Sequence, residues 1–447
     1  MSDRFSYEET LERLSWLHHQ PVLPAREVGL RRMHRILAEL DHPERSFRVV
    51  HVAGSSGKGS TTTMIGNVLR AAGFRTGYFR SPHLTSYTER IAVDEIPISE
   101  AQWARYFDFV WPIAERMIDN SLPGHELGRP THGEVLLALM CLHFAAERIE
   151  WAAVETGLGG RLDATNVLAS EVAVITNVSL EHTHILGSTT REIAREKAAI
   201  IKPGADAVTA ATDPDALDVV RCRAREVAAR LLCVPDDVRY TVTQGHWDWQ
   251  EIVLSHSSGD LSVRLPVPGT FQAVNAATCA AAIIALEERG VCVGQEAIRR
   301  GLGTTRVPGR LEVVSQHPLI VLDGAHNPDA IRQLARALSG LQPEGRVVVL
   351  FAAMADKDTE TMVAHLAPLV SEVVVTRSPD TERAAAPSRL AASFKGHAVP
   401  TEVFDGPEDA LRFALGQTAE GDVLVVCGSL YLVGWAREAL CAARTAP

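Results

Sequence analysis

Phe47-Arg-Val-Val-His-Val-Ala-Gly-Ser-Ser-Gly-Lys-Gly-Ser-Thr61 is apolar and β-branched up to Val52, glycine-rich from Gly54 to Ser60, and helical in pattern over residues 61–72. A strand, a tight loop and a helix account for all three parts. Glycines let backbone N–H groups turn inward on phosphate oxygens at a helix N-terminus, and Lys58 adds positive charge. Ser60 and Thr61 then offer a hydroxyl to Mg²⁺. The spacing departs from the ordinary G-x-x-x-x-G-K-[ST] loop because Gly59 stands between Lys58 and Ser60. A flexible Gly/Ser connection is the competing reading.

The same alternation continues outward from this unit. A long helix is expected near 134–148, strands at 151–155 and 171–177, and a helix near 189–201. Together they predict an α/β fold with a mainly parallel sheet. Upstream, Leu11, Leu14 and Leu17, then Leu30, Met33, Ile36, Leu37 and Leu40, predict two short helices interrupted by Pro21 and Pro24. Residues 236–266 alternate in short runs broken by Gly245 and Ser257-Ser258-Gly259, which predicts a β-rich insertion. A helix near 272–288 follows. Thr304-Thr-Arg-Val-Pro-Gly-Arg310 reads as a hinge, and beyond it strands near 318–322, 346–351, 372–376, 400–404 and 422–427 each precede a helical pattern. That second unit predicts a smaller, Rossmann-like doubly wound domain.

The chain has 447 residues, room for two or three domains. Its formal net charge of −11 argues against a chain-wide footprint for nucleic acid. None of the seven cysteines forms a CxxC or CxxH pair, so neither a zinc site nor a disulfide framework is suggested, and reduced thiols in a cytoplasmic protein are expected. The N-terminus lacks the apolar core of a signal peptide, and no apolar run is read as reaching the ~18 residues of a membrane helix.

Three further stretches carry chemistry-bearing residues. Glu155-Thr-Gly-Leu-Gly-Gly-Arg-Leu-Asp163-Ala-Thr-Asn166 begins at a strand end, where open α/β sheets place ligands, so Glu155 is a candidate Mg²⁺ ligand; a solvated turn is the alternative. Glu181-His182 follows the strand ending Ile175-Thr-Asn-Val-Ser179. Asp323-Gly-Ala-His326-Asn-Pro328 runs from a strand into a helix, where Asn327 at the N-cap and Pro328 at N1 are structural and Asp323 and His326 are left without such an explanation.

Taken together these segments resemble the folylpolyglutamate synthase and dihydrofolate synthase family of the Mur ligase superfamily. The resemblance rests on His51-to-Ser60, Ser81-Pro-His-Leu84 with Glu89-Arg90-Ile91, Glu155-to-Asn166, and His182 with Glu196-Lys197-Ala198. Pro308-to-Glu312, Asp323-to-Pro328 and Gly428-Ser-Leu-Tyr-Leu-Val-Gly434 complete it in the family's order. It implies an ATP-binding P-loop domain over residues 1–304 and an amino-acid-binding domain over 305–447. Gly54, Gly57, Lys58 and Ser60 would hold the β- and γ-phosphates, with Ser55, Ser56, Gly59 and Thr61 completing the loop. Ser60, Ser81, Glu155 and His182 would ligate magnesium, two ions being implied. Lys197 matches a lysine that relatives carbamylate. Asn275 would meet adenine, Arg310 and Asp323 would reach ATP, and His326 would lie by the transferred phosphoryl group and the incoming amino acid. Ser429 and Tyr431 would line that cleft, while Arg80, His83, His132, Gly133 and Asp163 would fall on the acyl-substrate side.

The chemistry implied is amide formation through an acyl phosphate, with glutamate joined to dihydropteroate or a reduced folate. Small-molecule partners, no nucleic acid, no membrane and a monomer are the accompanying expectations. Ser55-Ser56 in place of the family's usual Thr-Asn, Glu181 in place of Asp and Phe271 in place of His are tolerable departures, and the more serious ones lie on the acyl side. His132-Gly133 replaces the family's common aromatic pair, which removes a stacking face, and Arg80 replaces a usual Thr, which adds a fixed positive charge. A paralogous ligase acting on another carboxylic acid is therefore the alternative. A nucleotide-binding protein without catalysis has little reason to keep Lys58, Glu155, His182 and Lys197.

Overall fold

The computed structural model describes residues 4–20, 28–119, 125–379 and 382–445; Pro21 and Pro24 lie outside them. Eight strands form the first sheet: β1 (Arg48–Ala53), β2 (Thr76–Phe79), β3 (Ile91–Val93), β4 (Ile96–Pro97), β5 (Trp151–Glu155), β6 (Val172–Ile175), β7 (Asp206–Thr209) and β8 (Leu231–Cys233). Their order is β4-β3-β2-β5-β1-β6-β7-β8, parallel from β2 to β8 with β3 and β4 antiparallel at one edge. Strand β1 is buried on both faces, as a central parallel strand must be. Val50 and Val52 pack towards the helices Lys58–Ala71 and Thr270–Glu288, while Val49 packs towards the helices on the opposite face.

On that opposite face the two predicted N-terminal helices, Tyr7–His19 and Val28–Glu39, bury Leu14, Leu17, Met33, Ile36 and Leu37. They share a core with Glu100–Ile118 and His132–Ala146. Arg32 and Glu134 tie two of these helices through a buried bidentate ion pair, at 2.6 and 2.8 Å. Glu134 also closes the capping box on Thr131, so the pair fixes the helix start that carries His132 and Gly133. Removing one partner would strand a buried charge, at a cost of about 3–5 kcal/mol.

The predicted insertion is a three-stranded antiparallel sheet of β9 (Arg239–Gly245), β10 (Gln250–His256) and β11 (Gly259–Leu265). Alternate residues Ile252, Leu254, Leu261, Val263 and Leu265 join the core beneath the helix Thr270–Glu288. By length and composition that helix is apolar enough to cross a membrane, contrary to the sequence reading, and it is buried as a core helix instead.

The second sheet holds β12 (Glu312–Gln316), β13 (Leu319–Leu322), β14 (Val347–Phe351), β15 (Glu372–Val375), β16 (Thr401–Val403) and β17 (Val423–Cys427), in the order β12-β13-β17-β14-β15-β16. Helices cover both faces, so it is doubly wound as expected. Strand β12 was not anticipated; it runs antiparallel to β13 immediately after the hinge.

Candidate active site

The predicted site residues gather where strands of both sheets end at their carboxyl termini, the position at which open α/β sheets bind ligands. Between β1 and its helix, Gly57 is left-handed (φ 77°) and caps the helix without a side chain, leaving the first-turn N–H groups of Lys58, Gly59 and Ser60 free of helical partners. A Cβ on Gly54 would stand 1.8 Å from Thr176 Oγ1, and one on Gly57 2.4 Å from Asn275 Oδ1. These glycines are therefore required by close approach, which excludes the flexible-connection reading. Asn275 also donates to Gln272 Oε1 of the same helix at 2.9 Å, and its close approach to Gly57 sets the helix Thr270–Glu288 against the loop.

Asn177, just beyond β6, braces the loop. Its Oδ1 accepts from the amides of Ser55 (3.1 Å) and Ser56 (2.7 Å), and its Nδ2 donates to Ser56 Oγ (2.8 Å). Thr176 Oγ1 donates to the Ser56 carbonyl at 2.6 Å, and Ser55 Oγ donates to the Ser179 carbonyl at 3.1 Å. Two ammonium groups converge on the Gly54 carbonyl: Lys58 Nζ at 3.0 Å and Lys197 Nζ at 2.9 Å. Lys197 also donates to Glu181 Oε1 at 2.6 Å; burial, reinforced by Lys58, draws its pKa down to about 8 despite that partner. Thr61 lies buried on the same helix with its hydroxyl unpaired.

Glu155 ends β5 fully inside the protein, where its Oε2 accepts from the Ser81 amide at 2.9 Å. Burial pushes its carboxyl pKa up, against the opposing pull of Lys58, the Ser81 amide, Arg310 and Arg80. His182 occupies a left-handed conformation (φ 44°) at the start of a short helical turn, and burial lowers its pKa. Among the described residues no cluster of three His, Cys, Asp or Glu side chains forms a ready-made metal site. The predicted Mg²⁺ ligands nevertheless fit: among the described residues the Ser60 and Ser81 hydroxyls and the His182 ring make no hydrogen bond, and Glu155 has one oxygen engaged. One carboxylate and hydroxyls, completed by phosphate and water, suit a hard cation that keeps much of its hydration.

From the second sheet, Asp323 follows β13. Its Oδ2 accepts from the Leu311 amide (2.8 Å) and its Oδ1 from the Ala325 amide (2.9 Å), so it clamps the hinge beside Arg310. His326 Nδ1 lies 2.8 Å from the Gly324 carbonyl, which assigns the proton to Nδ1 and leaves Nε2 as an acceptor. Burial takes the His326 pKa to about 4, with Arg310, Lys357 and His182 adding to that shift. Lys357 of its own domain and His182 of the other thus stand among the charged or titratable groups near His326. Ser429 and Ser378 share a buried 2.6 Å hydroxyl contact, and Tyr431 is exposed at the cleft.

The acyl side differs from expectation. A Cβ on Gly133 would meet nothing within 4 Å, so the volume is open as predicted, but the wall is not bare. His132 sits edge-on to His18 (5.6 Å) and Tyr87 (5.9 Å), and Tyr87 lies 4.2 Å from His83. His18, Tyr87 and His83 come from other elements and gather around His132. Asp163 spends its carboxylate on its own loop, accepting from Leu158 N (2.9 Å), Thr165 N (3.0 Å) and Thr165 Oγ1 (2.5 Å).

Sequence reasoning missed Asn177, Lys357 and the roles of Tyr87, Arg90 and Glu181. Lys357 lies in the turn after β14, and the strand-end rule applied to that strand would have singled it out. Asn177 offered no signal, because its partners are 121 and 122 residues away.

Residues 52–283 match the Mur ligase middle domain and residues 309–430 the Mur ligase glutamate ligase domain. The chain is 34% identical to the dihydrofolate synthase/folylpolyglutamate synthase of Bacillus subtilis, over 95% of this chain and 98% of that protein. It is 32% identical to the corresponding Escherichia coli enzyme, over 96% of each. Among solved structures, a Mycobacterium tuberculosis folylpolyglutamate synthase complexed with ADP superposes with a TM-score of 0.88 at 29% identity, over 97% of this chain and 98% of the other. An Escherichia coli structure in complex with DHPP and ADP gives 0.86 at 29% identity, over the whole of both chains.

Proposed function

The chain belongs to the folylpolyglutamate synthase/dihydrofolate synthase family of Mur ligases, and on that premise we propose how its own residues carry out ATP-dependent ligation of glutamate to a pterin carboxylic acid. The observation that carries this reading is the convergence of the glycine loop, Lys58, Lys197 and Glu155 from one sheet with Asp323, His326 and Lys357 from the other. A carboxylate is a poor electrophile, so it is first phosphorylated by ATP, and the amine of glutamate then displaces phosphate. The first-turn amides and Lys58 hold the β- and γ-phosphates, Asn275 and Gln272 meet the adenine, and Arg310 and Asp323 seat the rest of the nucleotide from the hinge. Ser60, Ser81, Glu155 and His182 would hold Mg²⁺, which when bound neutralises charge on the transferred phosphoryl oxygens.

The second step belongs to the other domain. With Nδ1–H held by the Gly324 carbonyl, neutral His326 presents Nε2 to the incoming amine as a hydrogen-bond acceptor. Lys357, Ser429 and Tyr431 line the glutamate side. Closing the two bodies keeps water from the acyl phosphate. We place the reaction in the cytoplasm, carried out by a monomer; all seven cysteines are unpaired, in keeping with a reducing compartment. The aromatic wall of Tyr87, His132 and His18 gives a planar pterin a surface to pack on, which favours the folate reading over another carboxylic acid.

The test is ADP release by the purified protein with Mg²⁺, glutamate and either dihydropteroate or a reduced folate, with products read by mass. Glutamylated product from at least one pterin is expected, and Lys58→Ala should abolish it while the unfolding transition stays in place. Nucleotide binding without pterin-dependent turnover would overturn the reading.

A further inference from the structure

Four cations face the single buried carboxylate of Glu155: Lys58, Arg310, Arg80 and Arg90. Lys58 lies in the phosphate loop and Arg310 in the hinge, so a nucleotide accounts for both. Arg80 and Arg90 are left over. They occupy the next rung of the β2–β3 ladder beyond Phe79 and Ile91, where the Arg80 amide donates to the Arg90 carbonyl at 3.0 Å. Like charges brought opposite one another across antiparallel strands are destabilising unless something answers them.

Little within the chain does. Of the five N–H donors each guanidinium carries, Arg80 uses one on Thr63 Oγ1 (3.3 Å) and Arg90 one on His83 Nδ1 (2.8 Å). Neither makes an ion pair among the described residues. Their other shared acidic neighbour, Glu89, is fully occupied by the amides of Leu84 (2.8 Å), Thr85 (3.0 Å) and Ser86 (2.9 Å) and by the Thr85 hydroxyl (2.5 Å). Arg90 lies over the Tyr87 ring at 5.0 Å, and so belongs to the ring wall of the acyl pocket. Arg80 lies over the Tyr78 ring at 5.2 Å, and both arginines keep partial exposure.

A second anion on the acyl substrate would answer this surplus. Dihydropteroate has one carboxylate, and it is consumed by activation. A folate that already bears glutamate has two, one of which is a spectator. We propose that Arg80 and Arg90 clamp this spectator carboxylate, making Arg80 a specificity determinant that favours glutamate-bearing folates over dihydropteroate as acyl substrate. The proposal deepens, and rests on, the ligase reading above.

The test compares KM for dihydropteroate, for a reduced folate bearing one glutamate, and for the same folate with its non-reacting glutamyl carboxylate replaced by a carboxamide. Each is measured on the unmodified enzyme and on Arg80→Thr. Loss of a charge-assisted contact should raise KM about tenfold for the carboxamide on the unmodified enzyme, with kcat little changed. Arg80→Thr should raise KM for the intact folate by a similar factor, more than for dihydropteroate, and abolish the difference between folate and carboxamide. An unmodified enzyme indifferent to the carboxamide overturns the clamp without reference to any variant. So does Arg80→Thr raising KM for free glutamate instead, which would assign the cation to the incoming amino acid. If Arg80→Thr fails to fold, Arg80→Gln provides the same comparison. Absence of turnover with every pterin would instead overturn the ligase reading itself.

Discussion

Lys197 shows how one side chain is prepared by its surroundings. It is almost fully buried, yet its ammonium touches the Gly54 carbonyl of the phosphate loop and the Glu181 carboxylate. A pKa of about 8 gives it an appreciable neutral fraction in mildly alkaline solution, and only a neutral amine adds carbon dioxide to form a carbamate. Lys197→Ala should therefore lose most activity and regain part of it with added short-chain carboxylates, while a variant with unchanged kcat would rule out a carbamate role. Gly54, Gly57 and Lys58 were legible in the sequence because backbone approach and phosphate charge restrict the residue types allowed. Lys197 itself reads as one charge among several on a solvated helix, and only its likeness to relatives singled it out. Asn177 was illegible because the loop amides it holds lie far away along the chain, whereas Lys357 follows a strand end and was overlooked.

The helix Lys58–Ala71 carries the phosphate loop, and its position is fixed by two glycine contacts. A Cβ on Gly301, in the helix Gln295–Gly303, would stand 2.5 Å from Val68 Cα, and one on Gly66 would stand 2.2 Å from the Tyr78 ring. Gly301→Ala should push the two helices apart, cost about 2 kcal/mol in denaturant unfolding, and raise KM for ATP more than KM for glutamate. A stable variant with unchanged KM for ATP would show that the loop tolerates the displacement. At this scale the helix–strand alternation was readable from periodicity, and each of the five strands expected beyond the hinge is present. The helix Glu100–Ile118 was passed over: it contains Pro112, which reads as a break, although the capping box at Ser99 and the buried Trp103, Phe107 and Trp111 hold it together. Strand β12 escaped because its partner, β13, rather than its own composition, makes it a strand.

Among the described residues burial draws seven histidine pKa values down: those of His18 and His182, those of His51 and His132 to about 3, and those of His83, His143 and His326 to about 4. Each lies below its unfolded value of about 6.5, so the native state gains from them fully above that value and loses the gain as pH falls towards 4. Unfolding at pH 5 should therefore take up protons, and the thermal midpoint should fall steeply between pH 6.5 and 4. A flat profile there would show that these imidazoles are already charged in the folded protein. Fold class and the two-sheet plan were legible because strand and helix periods are local. The strand order was not, since it depends on which distant segments meet.

That order bears on how the protein is made. In the first sheet the loop-bearing β1 is synthesised early, but its neighbours β5 and β6 arrive about a hundred residues later. In the second, β17 lies between β13 and β14, so the strand that joins the sheet's two halves is the last of its strands to leave the ribosome. A nascent chain thus completes its nucleotide-holding half while the other half is still two separate pieces with open edges. Translation that stalls before residue 423 would leave those edges exposed to neighbouring chains, and the second body would need protection longest during synthesis.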